Sequence, residues 1–204
     1  MEDKCHLPAF GAEIEAERSE ENPILVPRKD IPFESEAAFN ICPVEDKDKI
    51  HLLYRAMSGP QILAGADLEV SSIGYAVSND GIHFKDRRRL IAPESTWEQY
   101  GCEDPRVTKI GGKFYIFYTA ISAYPFREDG IKVGVAITKD FKTIIAKHPV
   151  TPFNAKAMAL FPAKINGKYV AILSVNTDNP PARMAIATFD NEEQIWSRDY
   201  WENW

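Results

Sequence analysis

The chain has 204 residues, of which 45% are hydrophobic and 26% are charged, and its formal net charge is -6 with a pI near 5.3. This composition is typical of a globular protein with enough apolar side chains for one sizeable core. An acidic balance argues against a nucleic-acid or anionic-membrane partner, which would require a basic face, and the one basic run, Arg87–Arg89, is expected to be a solvated loop.

Residues 1–21 are predicted to form an N-terminal extension ahead of a single domain at 22–204. The opening residues, MEDKCHLPAF, lack the apolar segment of a secretory signal, and no stretch of the sequence approaches the ~18 apolar residues of a membrane-spanning helix. Cys5, Cys42 and Cys102 are odd in number and show no metal-type spacing. We therefore predict reduced thiols, no metal site and a cytoplasmic location.

The domain contains three similar strand-like segments, and each is followed by a second apolar segment that ends in a polar turn. The first members are IHLLYRA (50–56), KFYIFYTA (113–120) and KYVAILSV (168–175), and the second members are IGYAVSNDG (73–81), VGVAITKDF (133–141) and MAIATFDNE (184–192). Equivalent places, 60 and then 50 residues apart, are held by Ser78 and Asp80, Thr138 and Asp140, and Thr188 and Asp190. A hydroxyl or carboxylate there can accept hydrogen bonds from nearby backbone, so each pair is predicted to close a hairpin turn.

A strand pair that recurs every 50–60 residues is typical of a β-propeller, in which each repeat is a blade of about four strands. A β-sandwich with chance internal similarity is the alternative. Only about three blades fit in this length, whereas closed propellers have roughly four to eight. The terminal run IWSRDYWENW (195–204) adds aromatic surface that would need a partner to bury it. We expect an all-β chain that is a partial version of a longer domain or that completes its barrel by association.

The stretch YGCEDPRVTKI (100–110) places two carboxylates at the start of a predicted buried strand. In an extended backbone, Asp104 and Arg106 would point to one face and Glu103 to the other. Pro105 lacks a backbone donor, so the hydrogen-bonded ladder is expected to begin only at Val107. Asp104 would then lie at the entry of a strand lining the central channel. A purely structural ion pair between Asp104 and Arg106 is the alternative.

Several short motifs occur in a fixed order along the chain. They are NPIL (22–25), FES (33–35), FN (39–40), YRA (54–56), SSIGYAVSNDGIHF (71–84), GCEDPRVT (101–108), YTA (118–120) and ALFPAKINGKY (159–169). Their order resembles glycoside hydrolase family 130, the mannoside phosphorylases and related mannosidases, from about residue 22 to the end. Members of that family are five-bladed propellers and are longer than this chain, so the resemblance implies about three of five blades.

The resemblance also implies roles for individual residues. Asp104 looks like the general acid, which would protonate the departing glycosidic oxygen through a hydroxyl of the mannosyl ring, with a nucleophile attacking the opposite face and inversion as the result. Asn40 and Arg55 resemble residues that hold the sugar next to the cleavage point. Glu103 and Arg106 are further candidates for substrate contacts. An arginine beside Asp104 would favour its ionised form, which opposes an acid role unless Arg106 points elsewhere or bound phosphate offsets its charge.

The nucleophile distinguishes phosphorolysis from hydrolysis. Lys132 and Lys156 occupy places where the phosphorylases have basic residues that contact phosphate, so inorganic phosphate is the expected co-substrate, with no other cofactor. Family phosphorylases continue with a His-Arg-Pro segment where this chain reads ILSVNTDNPP (172–181), and that departure favours hydrolysis. We predict phosphorolysis of a β-mannoside oligosaccharide to mannose 1-phosphate. An inverting β-mannosidase and a non-catalytic glycan-binding propeller are the alternatives, and a homo-oligomer is possible.

Overall fold

The computed structural model describes residues 17–63 and 65–204 of the chain. Most of the predicted extension at 1–21, including Cys5, therefore lies outside the described residues. The described strands are β1 (Ala37–Asp46), β2 (Lys49–Leu63), β3 (Ala66–Ser78), β4 (Lys85–Ile91), β5 (Gly101–Ile110), β6 (Lys113–Ile121), β7 (Ile131–Thr138), β8 (Ile144–Pro149), β9 (Ala155–Leu160), β10 (Tyr169–Val175) and β11 (Arg183–Phe189). Three short 3-10 helices (Pro32–Glu34, Glu128–Gly130 and Glu193–Trp196) and the helix α1 (Arg198–Asn203) complete the described elements.

The strands form three antiparallel meanders in chain order. The first meander consists of β1 to β4 and the second of β5 to β8, and a single parallel bridge between Ser71 and Gly101 joins them. The third consists of β9 to β11. The chain is thus all-β, as predicted, and the six repeated segments are the second and third strands of each meander. No helix in 17–63 or 65–204 is both long and apolar enough to cross a membrane.

Two apolar layers separate the three meanders, and β6 contributes to both because its side chains alternate between its faces. Ile116 and Tyr118 pack toward the first meander, among residues such as Leu53. Tyr115 and Phe117 pack toward the third meander and its terminal helix. A strand that is buried on both faces explains the mostly apolar sequence FYIFYTAI at 114–121, in which Thr119 is also buried.

Two of the three predicted turn pairs close hairpins as expected. Ser78 Oγ accepts hydrogen bonds from the backbone of Asp80 and Gly81 between β3 and β4. Thr138 Oγ1 accepts from the backbone of Asp140 in the same way between β7 and β8. The third pair behaves differently because the chain turns into a 3-10 helix there. The Asp190 carboxylate instead forms an ion pair with Lys168 at 2.9 Å.

The prediction of a solvated loop at Arg87–Arg89 is wrong, because these residues belong to β4. Arg87 forms an ion pair at 2.9 Å with Glu34, whose side chain is completely buried. The Arg88 guanidinium lies 3.9 Å from the centre of the Tyr75 ring. Two of the three arginines are therefore accommodated by a buried carboxylate and an aromatic face, which the local sequence does not reveal, whereas Arg89 is exposed.

The terminal aromatic run finds most of its burial within the chain itself. Trp201 is buried in the layer between the second and third meanders, and its indole N–H donates to the Ile195 carbonyl at 2.8 Å. Trp196 stacks on His148 with 4.4 Å between ring centres. Trp204 keeps 45% of its surface exposed. The expectation that this run needs a partner for burial is therefore wrong for two of its three tryptophans.

Candidate active site

The first strand of each meander contains the same irregularity. The pairing of β1 shifts between Phe39 and Cys42, that of β5 between Glu103 and Arg106, and that of β9 at the equivalent place. In each bulge one residue takes a left-handed backbone conformation, and these residues are Asn40, Asp104 and Ala157, with φ of 50°, 54° and 52°. Asn and Asp tolerate this region better than other residues with a side chain, which suits them to such a bulge.

The bulge corrects two expectations about the stretch at 100–110. The ladder does not begin at Val107, because Gly101, Cys102 and Glu103 already pair with β6. Pro105 instead lies inside the bulge, where a missing backbone donor costs no ladder bond. The simple alternation of faces is also interrupted, since Asp104 has a positive φ.

Contacts between the first strands of the meanders (β1, β5 and β9, called the inner strands below) bring the bulges of β1 and β5 together. The backbone N–H of Val107 points to Cys42 Sγ at 3.4 Å, which sets the two strands side by side. Asn40 Nδ2 donates a hydrogen bond to Asp104 Oδ1 at 2.7 Å, although the two residues are 64 positions apart in the sequence. Two residues predicted separately therefore form one unit.

Arg55 completes this unit from β2. Its Nη2 atom forms an ion pair with Glu103 Oε1 at 2.7 Å, and its Nη1 atom lies 3.7 Å from Asp104 Oδ1. Its Nε atom donates to Ser71 Oγ at 3.0 Å, and Phe39 lies beneath the guanidinium at 4.9 Å. Because three sides of the guanidinium are engaged, it is held as a fixed positive charge between two carboxylates.

The electrostatics of the two carboxylates follow from this arrangement. The Glu103 side chain is 17% exposed, and burial raises its pKa above the ordinary value, opposed by Arg55 and reinforced by the charge of Asp104. Asp104 is more open, with 29% of its side chain exposed. The negative charge of Asp104 beside the mostly buried Glu103 therefore favours the protonated form of Glu103.

Arg106 is not part of the acid cluster formed by Asn40, Arg55, Glu103 and Asp104. Its Nη1 atom donates to the carbonyl of Pro105 at 3.0 Å, and it forms no ion pair with Asp104. The structural alternative of an Asp104–Arg106 pair is therefore wrong. The electrostatic objection to an acid role therefore passes from Arg106 to Arg55, whose Nη1 atom lies 3.7 Å from Asp104 Oδ1.

A cleft of about 270 Å³ opens beside Arg55 and Glu103, near the lower limit of ~300 Å³ for small-molecule sites. Aromatic residues line its other side, namely Tyr100, Tyr124 and Phe126. Aromatic faces beside fixed polar groups suit a ligand that has both apolar and hydroxyl-bearing surfaces. None of these three residues was predicted, because nothing in their local sequence distinguishes them from surface aromatics.

The two predicted phosphate-binding lysines have different surroundings, and no described contact joins them. Lys156 lies on β9 at the place that Glu103 has on β5, and its Nζ atom pairs with Asp178 Oδ1 at 2.7 Å. Lys132 lies on β7 and lines a separate cleft of about 260 Å³ together with Trp97, Trp196 and Arg198. Lys156 is near enough to Glu103 to lower the pKa of that carboxyl.

No cluster of three or more histidine, cysteine or carboxylate side chains with metal-binding geometry occurs in the described part of the chain. Cys102 is buried beside Glu98, and burial raises the pKa of its thiol well above the ordinary value. A buried, protonated thiol is a poor nucleophile. The polar chemistry of the site therefore rests on carboxylates, amides and basic side chains.

The fold and this cluster define an all-β protein whose candidate site combines two neighbouring carboxylates with a fixed guanidinium, and enzymes that cleave glycosidic bonds commonly use a pair of carboxylates. The chain belongs to glycoside hydrolase family 130, because the family model described as beta-1,4-mannooligosaccharide phosphorylase matches residues 15–200. Members of this family are enzymes that act on glycosidic bonds.

Similarity to individual proteins agrees with this assignment. The beta-1,2-mannobiose phosphorylase of Thermoanaerobacter sp. (strain X514) is 38% identical over 160 residues, which are 75% of this chain and 52% of that protein. The beta-1,2-mannobiose phosphorylase of Listeria innocua has a similar fold, with a TM-score of 0.66 and 24% identity over 85% of this chain and 62% of its own. A glycosyl hydrolase from Bacteroides ovatus gives a TM-score of 0.72 and 23% identity over 91% and 58%. The chain spans about half the length of the curated relatives it matches.

Proposed function

We propose that this chain contributes the acid-bearing part of an inverting β-mannoside phosphorylase. The observation that supports this most directly is the cluster in which Asn40 and Arg55 hold one oxygen of Asp104. The described contacts of Asp104 both involve Oδ1, which leaves Oδ2 for the substrate. Among the curated relatives, several are named mannoside phosphorylases.

In the proposed reaction, Asp104 supplies the proton that the leaving sugar needs. The proton passes through a hydroxyl of the mannosyl ring to the glycosidic oxygen as the bond from that oxygen to the anomeric carbon breaks. A phosphate oxygen forms a new bond to the anomeric carbon from the opposite face, so the products are α-mannose 1-phosphate and the shortened sugar. Phosphate is already anionic and needs no general base.

The remaining residues of the cluster position the mannosyl ring. Arg55 and Glu103 line the aromatic cleft and offer a donor and an acceptor to sugar hydroxyls. Lys156 is the proposed phosphate contact nearest to the cluster, since it influences the charge of Glu103. Lys132 remains a proposed phosphate contact and Arg106 a proposed substrate contact, although both lie outside the cluster around Asp104.

We also propose that the three meanders are three blades of a five-bladed propeller. Two of them have the four antiparallel strands of a blade. The first strands of the three meanders are also neighbours, because β5 contacts both β1 and β9. The contact between Thr108 Oγ1 and the Leu160 carbonyl at 2.9 Å joins the second inner strand to the third. The other blades would come from a longer chain or from a partner copy.

Hydrolysis is the second candidate, and the ion pair between Lys156 and Asp178 favours it. A cation that is neutralised by a carboxylate attracts phosphate less strongly. Water would then be the nucleophile, and the reaction would require a carboxylate base. The two candidates share Asp104 as the acid and differ only in what attacks the anomeric carbon.

One assay tests both candidates. β-1,2- and β-1,4-mannobiose are incubated with the chain in the presence and absence of phosphate, and the products are separated by anion-exchange chromatography. Mannose 1-phosphate that forms only with phosphate supports phosphorolysis, and free mannose released at equal rates in both conditions supports hydrolysis. The Asp104→Asn variant should lose about 10²- to 10⁴-fold in rate. Asp129→Asn, which changes an exposed surface pair, is the matched control and should leave the rate unchanged.

A further inference from the structure

Asp178 is an acidic residue at the candidate site that the sequence did not single out. Its Oδ1 atom accepts a hydrogen bond from Lys156 Nζ at 2.7 Å, and the two side chains are 26% and 30% exposed. The residue lies in the segment ILSVNTDNPP, which departs from the family pattern. The amine of Lys156, which the sequence analysis assigns to phosphate binding, is therefore already bound to a carboxylate.

Asp178 is held in place by contacts other than the lysine. Its Oδ2 atom accepts hydrogen bonds from Asn154 Nδ2 at 2.9 Å and from Thr177 Oγ1 at 2.8 Å, and its backbone N–H donates to Asn154 Oδ1 at 3.2 Å. Asn154 is itself buried and also donates to the Ile131 carbonyl at the start of β7. Burial opposes ionisation, but the bonds from Lys156, Asn154 and Thr177 lower the pKa of Asp178 below its ordinary value. The carboxylate is therefore preorganised and charged.

Lys156 has a defined position relative to the acid cluster. In the register of the inner strands, Lys156 is opposite Ser174 just before its bulge, as Glu103 is opposite Thr119 just before its own. The amine contacts Asp178 at 2.7 Å, and its charge also lowers the pKa of Glu103. A phosphate that approaches Lys156 must displace Asp178 or accept its repulsion.

We propose that Asp178 is a specificity-determining residue that competes with phosphate for Lys156. This inference rests on the proposed function, because it concerns the choice between phosphate and water at the same site. Asp178 reproduces the negative charge and the hydrogen-bond acceptors of a phosphate oxygen, and it is already bound to the protein. Removal of its charge should free the amine for an external anion and tighten phosphate binding.

The inference is tested by phosphate binding to the full chain, measured by isothermal titration calorimetry with inorganic phosphate at low ionic strength. The Asp178→Asn variant keeps acceptor and donor atoms for Asn154 and removes only the charge. We expect it to bind phosphate on the order of tenfold more tightly than the wild type. The gain should disappear in the Asp178→Asn/Lys156→Gln double variant, because the freed amine is its source.

Asp190→Asn is the matched control, since Asp190 also pairs with a lysine in the third meander, at 2.9 Å, but is remote from the cluster. It should leave phosphate affinity unchanged. Asp178→Ser, which retains a hydrogen-bonding oxygen for Asn154, provides a second uncharged variant should the asparagine not fold. Equal phosphate affinity in the wild type and in the folded uncharged variants would overturn the inference, as would a gain that persists without Lys156.

The outcome is separable from that of the proposed function, because binding is measured without turnover. If mannose 1-phosphate forms but Asp178→Asn binds phosphate no more tightly, the inference fails and the proposed function stands. If the variant gains affinity but no mannobiose is cleaved, competition at Lys156 is supported and the proposed function fails.

Discussion

The buried ion pair beneath the acid-bearing strand provides a direct test of the packing argument. Lys147 on β8 forms an ion pair with Glu98, which is completely buried in the loop before β5. The same carboxylate accepts a hydrogen bond from Tyr118 on β6 at 2.6 Å. The pair therefore connects an outer strand to the loop that leads into the strand of Asp104, and Lys147→Met removes the cation while keeping most of the side-chain volume.

The expected cost follows from the burial of Glu98. Removal of one partner from a buried ion pair leaves an uncompensated charge and typically costs about 3–5 kcal/mol. A domain is usually stable by only about 5–15 kcal/mol, so the variant should lose a large share of its free energy of unfolding. Glu98→Gln in the Lys147→Met background removes the stranded charge and should recover about 1–3 kcal/mol of that loss.

Urea unfolding followed by tryptophan fluorescence measures these differences. Arg198→Met is the control, because Arg198 forms an ion pair with Glu202 but is 84% exposed, and its loss should cost less than about 1 kcal/mol. If Lys147→Met unfolds within about 1 kcal/mol of the wild type, the charge of Glu98 is not stranded and the reasoning about this layer is wrong.

Three other outcomes are expected. Asn40→Gly removes the hydrogen bond to Asp104 while keeping a residue that tolerates the left-handed backbone, and it should lower the rate of sugar release by roughly 10- to 100-fold in initial-rate assays with little change in the melting temperature. An unchanged rate would contradict the positioning role. Ala157→Gly relieves a left-handed backbone at a residue with a Cβ atom and should raise the free energy of unfolding in urea by about 1 kcal/mol, whereas a decrease would show that the methyl group packs usefully. Burial beside Tyr75 lowers the pKa of His51 below 6.5, so the unfolded chain binds the proton more tightly than the folded chain, and stability should fall as the pH drops below about 6.5. His51→Asn should lose this part of the pH dependence in thermal melts. An unaltered profile would assign the pH dependence to another group.

The strands and their repetition were predictable because the signals are local. One long-range contact is also visible in the repeats. Tyr54 and Tyr118 occupy the same place in their segments, and Gly74 and Gly134 are their register partners on the next strand. A Cβ atom on Gly134 would lie 2.9 Å from the Tyr118 ring, so the ring occupies the space that the glycine leaves. The glycine and the tyrosine of the first two repeats are therefore two parts of one packing requirement, and the third repeat has Leu173 opposite Ala185 instead.

The site geometry was less predictable because it depends on contacts between different meanders. The motifs identified Asp104, Asn40 and Arg55 as candidates, but only the side-by-side inner strands bring them together. The bulge that turns Asp104 has no local signal beyond Pro105. Asp178 was missed because its partner, Lys156, is 22 residues away on another strand, and a single aspartate in a polar segment reads as a turn residue.

The bulges of the three meanders share a backbone conformation but differ in their side chains and in the buried residues near them. In the first two meanders a buried glutamate lies six residues before the bulge residue and accepts a hydrogen bond from a tyrosine, as Glu34 does from Tyr54 at 2.5 Å and Glu98 from Tyr118 at 2.6 Å. In the third meander the equivalent places are occupied by a threonine and a leucine. Both positions differ together because a buried glutamate without its hydroxyl and cation would be unfavourable. The bulge persists in β9 even so, which indicates that the strand geometry does not require the glutamate. Similar left-handed bulges therefore contain an amide, a carboxyl group and a methyl group, and in the proposed function the chemistry of each bulge is set by its side chain.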